Sequence, residues 1–147
     1  MRTVIVRTGI VLARGGGALA QMLTPFRLGL GGKQGSGRQW MSWIAIDDHI
    51  AALRAAIDDT RLSGPVNLTS PNPVTNADFA HALGRVLKRP TVLPTPMFPL
   101  KLRYGGELVD SLLLAGQRVL PVRLEAISFP FRYPVLQPAL EAILHGD

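Results

Sequence analysis

The chain has 147 residues, 47% apolar and 18% charged, a balance that suits a folded domain and excludes a disordered one. It contains no cysteine, which removes disulfides, thiolate metal sites and a cysteine nucleophile. The net charge of +6 is uneven: residues 1–46 hold six basic groups (Arg2, Arg7, Arg14, Arg27, Lys33, Arg38) and no acidic one, whereas residues 47–147 hold ten of each sign.

Thr3 to Leu12 is β-branched and apolar and reads as a buried strand. An acid-free, arginine-bearing start is also the composition of an organelle transit segment, but the apolar run favours the strand. Arg7 interrupts Val4-Ile5-Val6, so no secretory signal is expected, and no apolar run approaches the roughly 18 residues of a membrane span. Arg14-Gly15-Gly16-Gly17 forms a flexible loop. Ala18 to Leu28 follows as a short helix that Pro25 should shorten or kink. Gly29 to Gly37 reads as a plain surface loop, and Trp40 to Ile46 as a second strand.

Asp47 is placed to cap a helix whose Ile50, Leu53 and Ile57 share one face. Gly64-Pro65 turns into a strand, Val66-Asn67-Leu68, and Pro71 and Pro73 keep the next segment extended. Thr75 with Asp78 three places on resembles a capping box. Phe79, Leu83, Val86 and Leu87 then give the clearest helical period in the chain. Eight of the twelve prolines fall between Pro90 and Pro138, so the elements there must be short. Pro94, Pro96 and Pro99 frame a loop, Glu107 to Leu114 reads as helix, and Leu136, Leu140, Ile143 and Leu144 mark a last amphipathic helix.

Familiar catalytic patterns fail one by one. Gly32-Lys33 is followed by Gln34 where a P-loop needs Ser or Thr, and Gln34 also replaces the third glycine of a dinucleotide fingerprint. Ser36 lies between glycines, but Gln34 occupies the outer position of a nucleophile elbow. Asp47-Asp48-His49 points in three directions on a helix, so a cap with exposed neighbours is expected instead of a metal site. His81 and His145 are isolated. The six cations of residues 1–46 lack an aromatic stacking set, so no nucleic-acid partner is expected, and no membrane partner either.

The order of segments carries a resemblance. Arg7-Thr8-Gly9-Ile10-Val11-Leu12, Gly35-x-Gly37-x-Gln39-Trp40-Met41-Ser42-Trp43-Ile44, Ile46-Asp47-Asp48 and Gly64-Pro65-Val66-Asn67-Leu68-Thr69 succeed one another, followed by Val74-Thr75-Asn76. Together they resemble the extended short-chain dehydrogenase/reductase superfamily. The tail, from Gly106-Glu107 through Gly116-Gln117-Arg118-Val119-Leu120-Pro121 to Phe129-x-Phe131-Arg132-Tyr133-Pro134, is similar to the domain of unknown function that closes its epimerase-like branch.

The resemblance implies the C-terminal half of an NAD-dependent epimerase-like protein. The expected fold is α/β: a partial Rossmann-like sheet remnant plus a small mixed α/β substrate domain with short C-terminal helices. Residues 1–60 would be the last strands and helices of a nucleotide-binding fold, and residues 61–147 the substrate-binding domain. The catalytic Tyr-x-x-x-Lys has no counterpart here, since Tyr104 is followed four places on by Leu108 and Tyr133 by Gln137. The glycine fingerprint is missing as well, so no catalytic residue and no metal ligand is assigned.

By the same resemblance Thr8 and Gly9 would approach the cofactor, while Ile10, Gln39, Ser42 and Trp43 would line the substrate pocket. Strand packing is the alternative for Gln39, Ser42 and Trp43, and for the tryptophans, Trp40 and Trp43, packing and pocket weigh equally. Ile10 replaces an asparagine that helps hold a diphosphate in sugar-nucleotide epimerases. NAD or NADP belongs to full-length relatives, with none expected on this chain alone. The implied function is that of a substrate-binding half; the alternative is a non-catalytic binding or interaction module. Self-association or a separate N-terminal half would complete it, and the expected compartment is the cytoplasm. The acid-free first 46 residues, Lys33 and Arg38 included, would then give the cofactor cleft a positive field.

Overall fold

The computed structural model describes residues 1–95, 102, 105–109 and 116–146. Pro96, Pro99 and residues 110–114, named above, lie outside them. The apolar run at the start forms two strands, β1 (Val4–Thr8) and β2 (Ile10–Leu12), separated at Gly9. Helix α1 (Gly17–Arg27) follows with Pro25 inside it. Next come β3 (Trp40–Met41), β4 (Trp43–Ala45) and α2 (Ile46–Asp58). β5 (Gly64–Leu68), β6 (Val74–Thr75) and α3 (Asn76–Leu87) complete the first two thirds. Short helices α4 (Gly106–Val109) and α5 (Val122–Ala126) precede the last, α6 (Leu136–His145).

Pairing is mostly parallel, as the α/β expectation requires. β1 runs beside β5 with Val4 opposite Gly64 and Thr8 opposite Leu68. β2 runs beside β4 with Ile10 opposite Trp43. β3 and β6 are antiparallel, Trp40 opposite Thr75. The chain moves from one pair to the next at Gly9, whose N–H donates to Leu68 O at 3.2 Å, while the next N–H, of Ile10, donates to Ser42 O at 2.8 Å. A Cβ at Gly9 would lie 2.6 Å from Ser42 O and 2.9 Å from Thr69 Cγ2, so this crossing admits glycine alone.

Two apolar clusters hold the elements together. One packs α1, α3 and α6 through Leu19, Phe26, Phe79, Leu83, Leu140 and Leu144, with Trp43 among them. The other joins Ile44, Ala52, Ala56, Val66, Leu68 and Leu124. β4 serves both, because successive strand side chains point to opposite faces: Trp43 and Ala45 enter the first cluster and Ile44 the second. Each cluster draws residues from both sides of position 60.

Three sequence expectations need correction here. The first strand is not buried: Ile5 is 55% and Val6 41% exposed, because among the described residues β1 pairs with β5 alone and forms the edge of its sheet. In α2 the inward face is Asp48, Ala52 and Ala56, while Ile50 and Ile57 are exposed. Residues four apart share a face, and this small-residue stripe is the one that meets the second cluster. The loop of residues 29–37 is no plain surface loop. Gly31 and Gly32 are buried, and a Cβ on them would strike the Phe26 ring and Leu93 O respectively. The α3 start matches its capping signal, with Thr75 Oγ1 accepting from the Asp78 N–H at 3.2 Å.

Candidate functional site

Parallel strands end with their carboxyl edges side by side, and crevices outside those edges are where open α/β sheets bind ligands. β1 and β5 end together at Thr8 and Leu68. Beyond that edge lies a cavity of about 420 Å³ whose lining includes Thr8, Gly9, Ile10, Ser42, Asn76 and Gln117. A second hollow of about 310 Å³ adjoins it, sharing Thr8, Gly9, Ser42, Gln117 and Val119 and adding Arg7, Asn67 and Thr69. Four of the six sequence-assigned residues (Thr8, Gly9, Ile10 and Ser42) thus meet at one place.

The other two do not line it. Trp43 is fully buried in the first cluster and its indole N–H donates to Asn72 O at 2.9 Å, so its role is packing. The Gln39 side-chain amide donates to Gln34 O at 3.0 Å and stiffens the glycine-bearing loop. Ser42 is at the cavity, yet its hydroxyl donates to Gln117 O at 2.7 Å and accepts from the Val119 N–H at 2.9 Å. It fastens the segment 117–119 across the cavity wall and is occupied by the backbone.

Thr8 is held differently. Its hydroxyl shares a hydrogen bond of 3.2 Å with His49 Nε2, and partial burial lowers the His49 pKa below its ordinary value. Thr69 lies one residue past β5, is 1% exposed, and its hydroxyl has no hydrogen-bond partner among the described residues. Trp40, for which packing and pocket were both open, and Gln117, which had no expected role, also line the cavity. The signal was Gly116: a Cβ there would lie 1.8 Å from Trp40 O, a contact between segments 76 residues apart that no local pattern contains.

Next to this site, Asp48 is buried and its carboxylate accepts the backbone N–H of Arg132 at 2.8 Å and of Tyr133 at 2.9 Å. Asp47 was expected to cap α2. Instead the helix begins at Ile46 after Ala45, which offers no side-chain cap, and Asp47 reaches Arg132 at 3.7 Å. Acidic residues in the first turn still suit the helix dipole. Among the described residues no three metal-ligating side chains cluster. His145 bonds Val86 O at 3.0 Å, away from the cavity.

The expected positive field is also redistributed. Of the six early cations Arg7 alone lines the paired hollows; Lys33 and Arg38 do not. Arg2 instead donates to Ala56 O, Ile57 O and Leu62 O, closing the carboxyl end of α2, where orphan carbonyls attract cations.

Comparison with known proteins agrees with this geometry. A family described as a domain of unknown function (DUF1731) matches residues 95–143. An epimerase family protein of Mycobacterium bovis is 48% identical over 139 residues, covering 95% of this chain and 46% of that protein. The human epimerase family protein SDR39U1 is 42% identical over 143 residues, 97% of this chain and 48% of its own length. The crystal structure of human SDR39U1 with NADPH superposes with a TM-score of 0.92 at 40% identity, covering 99% of this chain and 49% of that one. The UDP-glucose 4-epimerase of Thermus thermophilus, solved with NAD, has a TM-score of 0.68 at 17% identity and shares the fold. The chain spans about half the length of the relatives it matches. By sequence and by fold it corresponds to the C-terminal half of the epimerase family proteins, in the extended short-chain dehydrogenase/reductase superfamily, and its last third carries the domain of unknown function.

Proposed function

We propose that this chain is the substrate-binding half of an NAD(P)-dependent epimerase- or reductase-like protein and does not catalyse the reaction by itself. The observation that carries the reading is the cavity at the carboxyl edge of β1 and β5, bordered by Thr8, Gly9 and Gln117. Its lining suits an uncharged reacting group. Arg7 is the one charged residue among the described residues that line the paired hollows, and the unpartnered Thr69 hydroxyl lies at their wall. A diphosphate would ask for more cations than the described lining offers, although Ala18, in the first turn of α1 after Gly15-Gly16-Gly17, does line the cavity.

A bound nicotinamide would supply hydride transfer. The chain's own share is positioning: the Thr8 hydroxyl, oriented by His49, and the Gly9 backbone face the cavity from the strand end. Ser42 holds the opposite wall by gripping residues 117 and 119. A general acid–base pair and the dinucleotide fingerprint would come from a preceding half, as in the full-length relatives. A compartment with a nicotinamide-nucleotide pool suits this reading, and the cytoplasm is the one we assign. Among the described residues no helix is long and apolar enough to cross a membrane.

The test titrates NADPH and NADH against the chain alone and against the chain mixed with the N-terminal half of the human relative. We expect saturable binding in the mixture and none by the chain alone. Saturable binding by the chain alone overturns the division of labour. A small molecule retained by the chain, with no nucleotide binding in the mixture, supports a stand-alone binding module instead.

A further inference from the structure

The two longest stretches of this sequence without an acidic residue are 1–46 and 79–106. The fold lays parts of them side by side. Arg89 Nε donates to Arg27 O at 2.9 Å, the Gly32 N–H donates to Thr95 Oγ1 at 3.0 Å, and the Thr95 N–H donates to Lys33 O at 2.9 Å. Gly32 sits so close to Leu93 that a Cβ would meet the Leu93 carbonyl, and the Pro90 ring packs under Gly29. Residues 27–34 and 89–95 therefore form one two-ply shelf at the carboxyl end of α3.

The shelf carries two kinds of side chain that solvent alone does not explain. Leu28, Leu30, Val92 and Leu93 are 69%, 56%, 87% and 62% exposed. Beside them stand the exposed cations Arg27, Lys33, Arg85, Lys88 and Arg89. Arg85, Lys88 and Arg89, with Thr91, surround a hollow of about 430 Å³ that no carboxylate among the described residues lines. Asp78, the one acidic residue of α3, sits in its first turn, at the opposite end. Lys88 holds a left-handed backbone (φ 55°), a conformation usually left to glycine at a helix end; the cation is present although glycine would fit with less strain.

We propose that this shelf docks the chain onto an anionic phospholipid surface, its cations on the headgroup phosphates and its four aliphatic side chains in the interfacial layer. Apolar side chains rimmed by basic ones are the surface chemistry of such docking, and it requires no spanning segment. That is the point at which it departs from the expectation of no membrane partner. A second copy is a poor occupant, since a twofold contact would set five cations against five. A nucleic-acid duplex would use the cations but leave the aliphatic side chains without a role, and among the described residues no aromatic ring stands with them for stacking. None of the nine side chains lines the cavity at the strand edge, so the proposal is independent of the enzymatic reading.

Vesicle co-sedimentation of the 147-residue chain tests it, with phosphatidylcholine vesicles compared against ones containing about one third phosphatidylserine. We expect binding to the anionic vesicles only, weakening as salt is raised. Arg85→Glu with Lys88→Glu should lower the partition coefficient by about tenfold or more, and the milder Arg85→Gln with Lys88→Gln by less. Leu30→Ser with Val92→Ser should lower it by about tenfold, with unfolding midpoints unchanged for either pair. Equal binding to both vesicle types, or no binding at low salt, overturns the proposal. So does an apolar pair that binds as well as the parent while the charge-reversed pair does not, which is the behaviour of a site for a soluble acidic partner.

Discussion

At the scale of single residues, the buried carboxylate of Asp48 is the most informative group in the chain. It satisfies two backbone N–H groups of residues 132 and 133 from the first turn of α2, tying helix to tail across 84 positions. Hydrogen bonds to a charged acceptor contribute about 1.5–3 kcal/mol, and removing the acceptor strands both donors. Asp48→Ala is therefore expected to destabilise the chain by about 2–4 kcal/mol in urea unfolding, and Asp48→Asn by less, since its carbonyl still accepts. Sequence alone favoured an exposed neighbour of a cap. A carboxylate whose partners are backbone groups far along the chain leaves no local pattern.

Asp59 and Arg61 form a surface pair of another kind. Arg61 donates to both Asp59 oxygens, at 2.7 Å in the shortest contact, and its side-chain and backbone hydrogen bonds hold the Asp59 carboxyl at about 2. The folded value lies below the ordinary 3.8, so the pair's contribution is fully present above pH 4 and fades as pH falls towards 2. Carboxyl NMR titration should give a midpoint near 2 in the parent, rising towards the ordinary value in Arg61→Gln.

At the scale of elements, local signals were readable and crossings were not. The α3 period and its Thr75 cap lie within a dozen residues, and both match the fold. The last helix at Leu136–His145 was readable for the same reason. The apolar start instead reads as one strand from Thr3 to Leu12, because nothing nearby reveals that Gly9 must pass Ser42 and Thr69. The α2 face was misread because large aliphatic residues outweigh alanines in a periodicity argument, whereas close approach to a sheet selects the alanines. Part of the site was legible only through family resemblance, which named Thr8, Gly9, Ile10 and Ser42, all at the cavity, together with Gln39 and Trp43, which do not line it. The crossing yields a prediction: Gly9→Ala must push Ser42 and Thr69 away, costing about 1–3 kcal/mol in thermal unfolding and disturbing the cavity wall that Gly9 forms.

At the scale of the whole molecule, the uncovered side of β1 governs solution behaviour. A parallel edge strand with half-exposed Ile5 and Val6 invites pairing with another chain. The isolated chain is expected to self-associate in size-exclusion chromatography with light scattering. Ile5→Lys should shift it towards monomer, because an edge lysine opposes strand addition. A monodisperse parent with sharp cooperative unfolding would contradict this. The +6 charge also changes meaning at this scale. Arg2 goes to a helix end, Arg7 to a cavity mouth, and Arg27 and Lys33 to the basic shelf, so these early cations do not share one cleft.

The parallel partnership of β1 has a further consequence in time. Its register sets Val4 against Gly64 and Thr8 against Leu68, so every rung of that ladder joins residues sixty positions apart. Arg2 is bound by the same delay, since its acceptors end at Leu62. A ribosome adds about 5–20 residues each second, so the first strand emerges several seconds before its partner is made. Through that interval Val4, Ile5 and Val6 are an unpaired β-branched segment of the nascent chain. Whatever occupies that strand meanwhile, a chaperone or a neighbouring polypeptide, competes with β5 for it, and slower translation of residues 10–68 lengthens the contest.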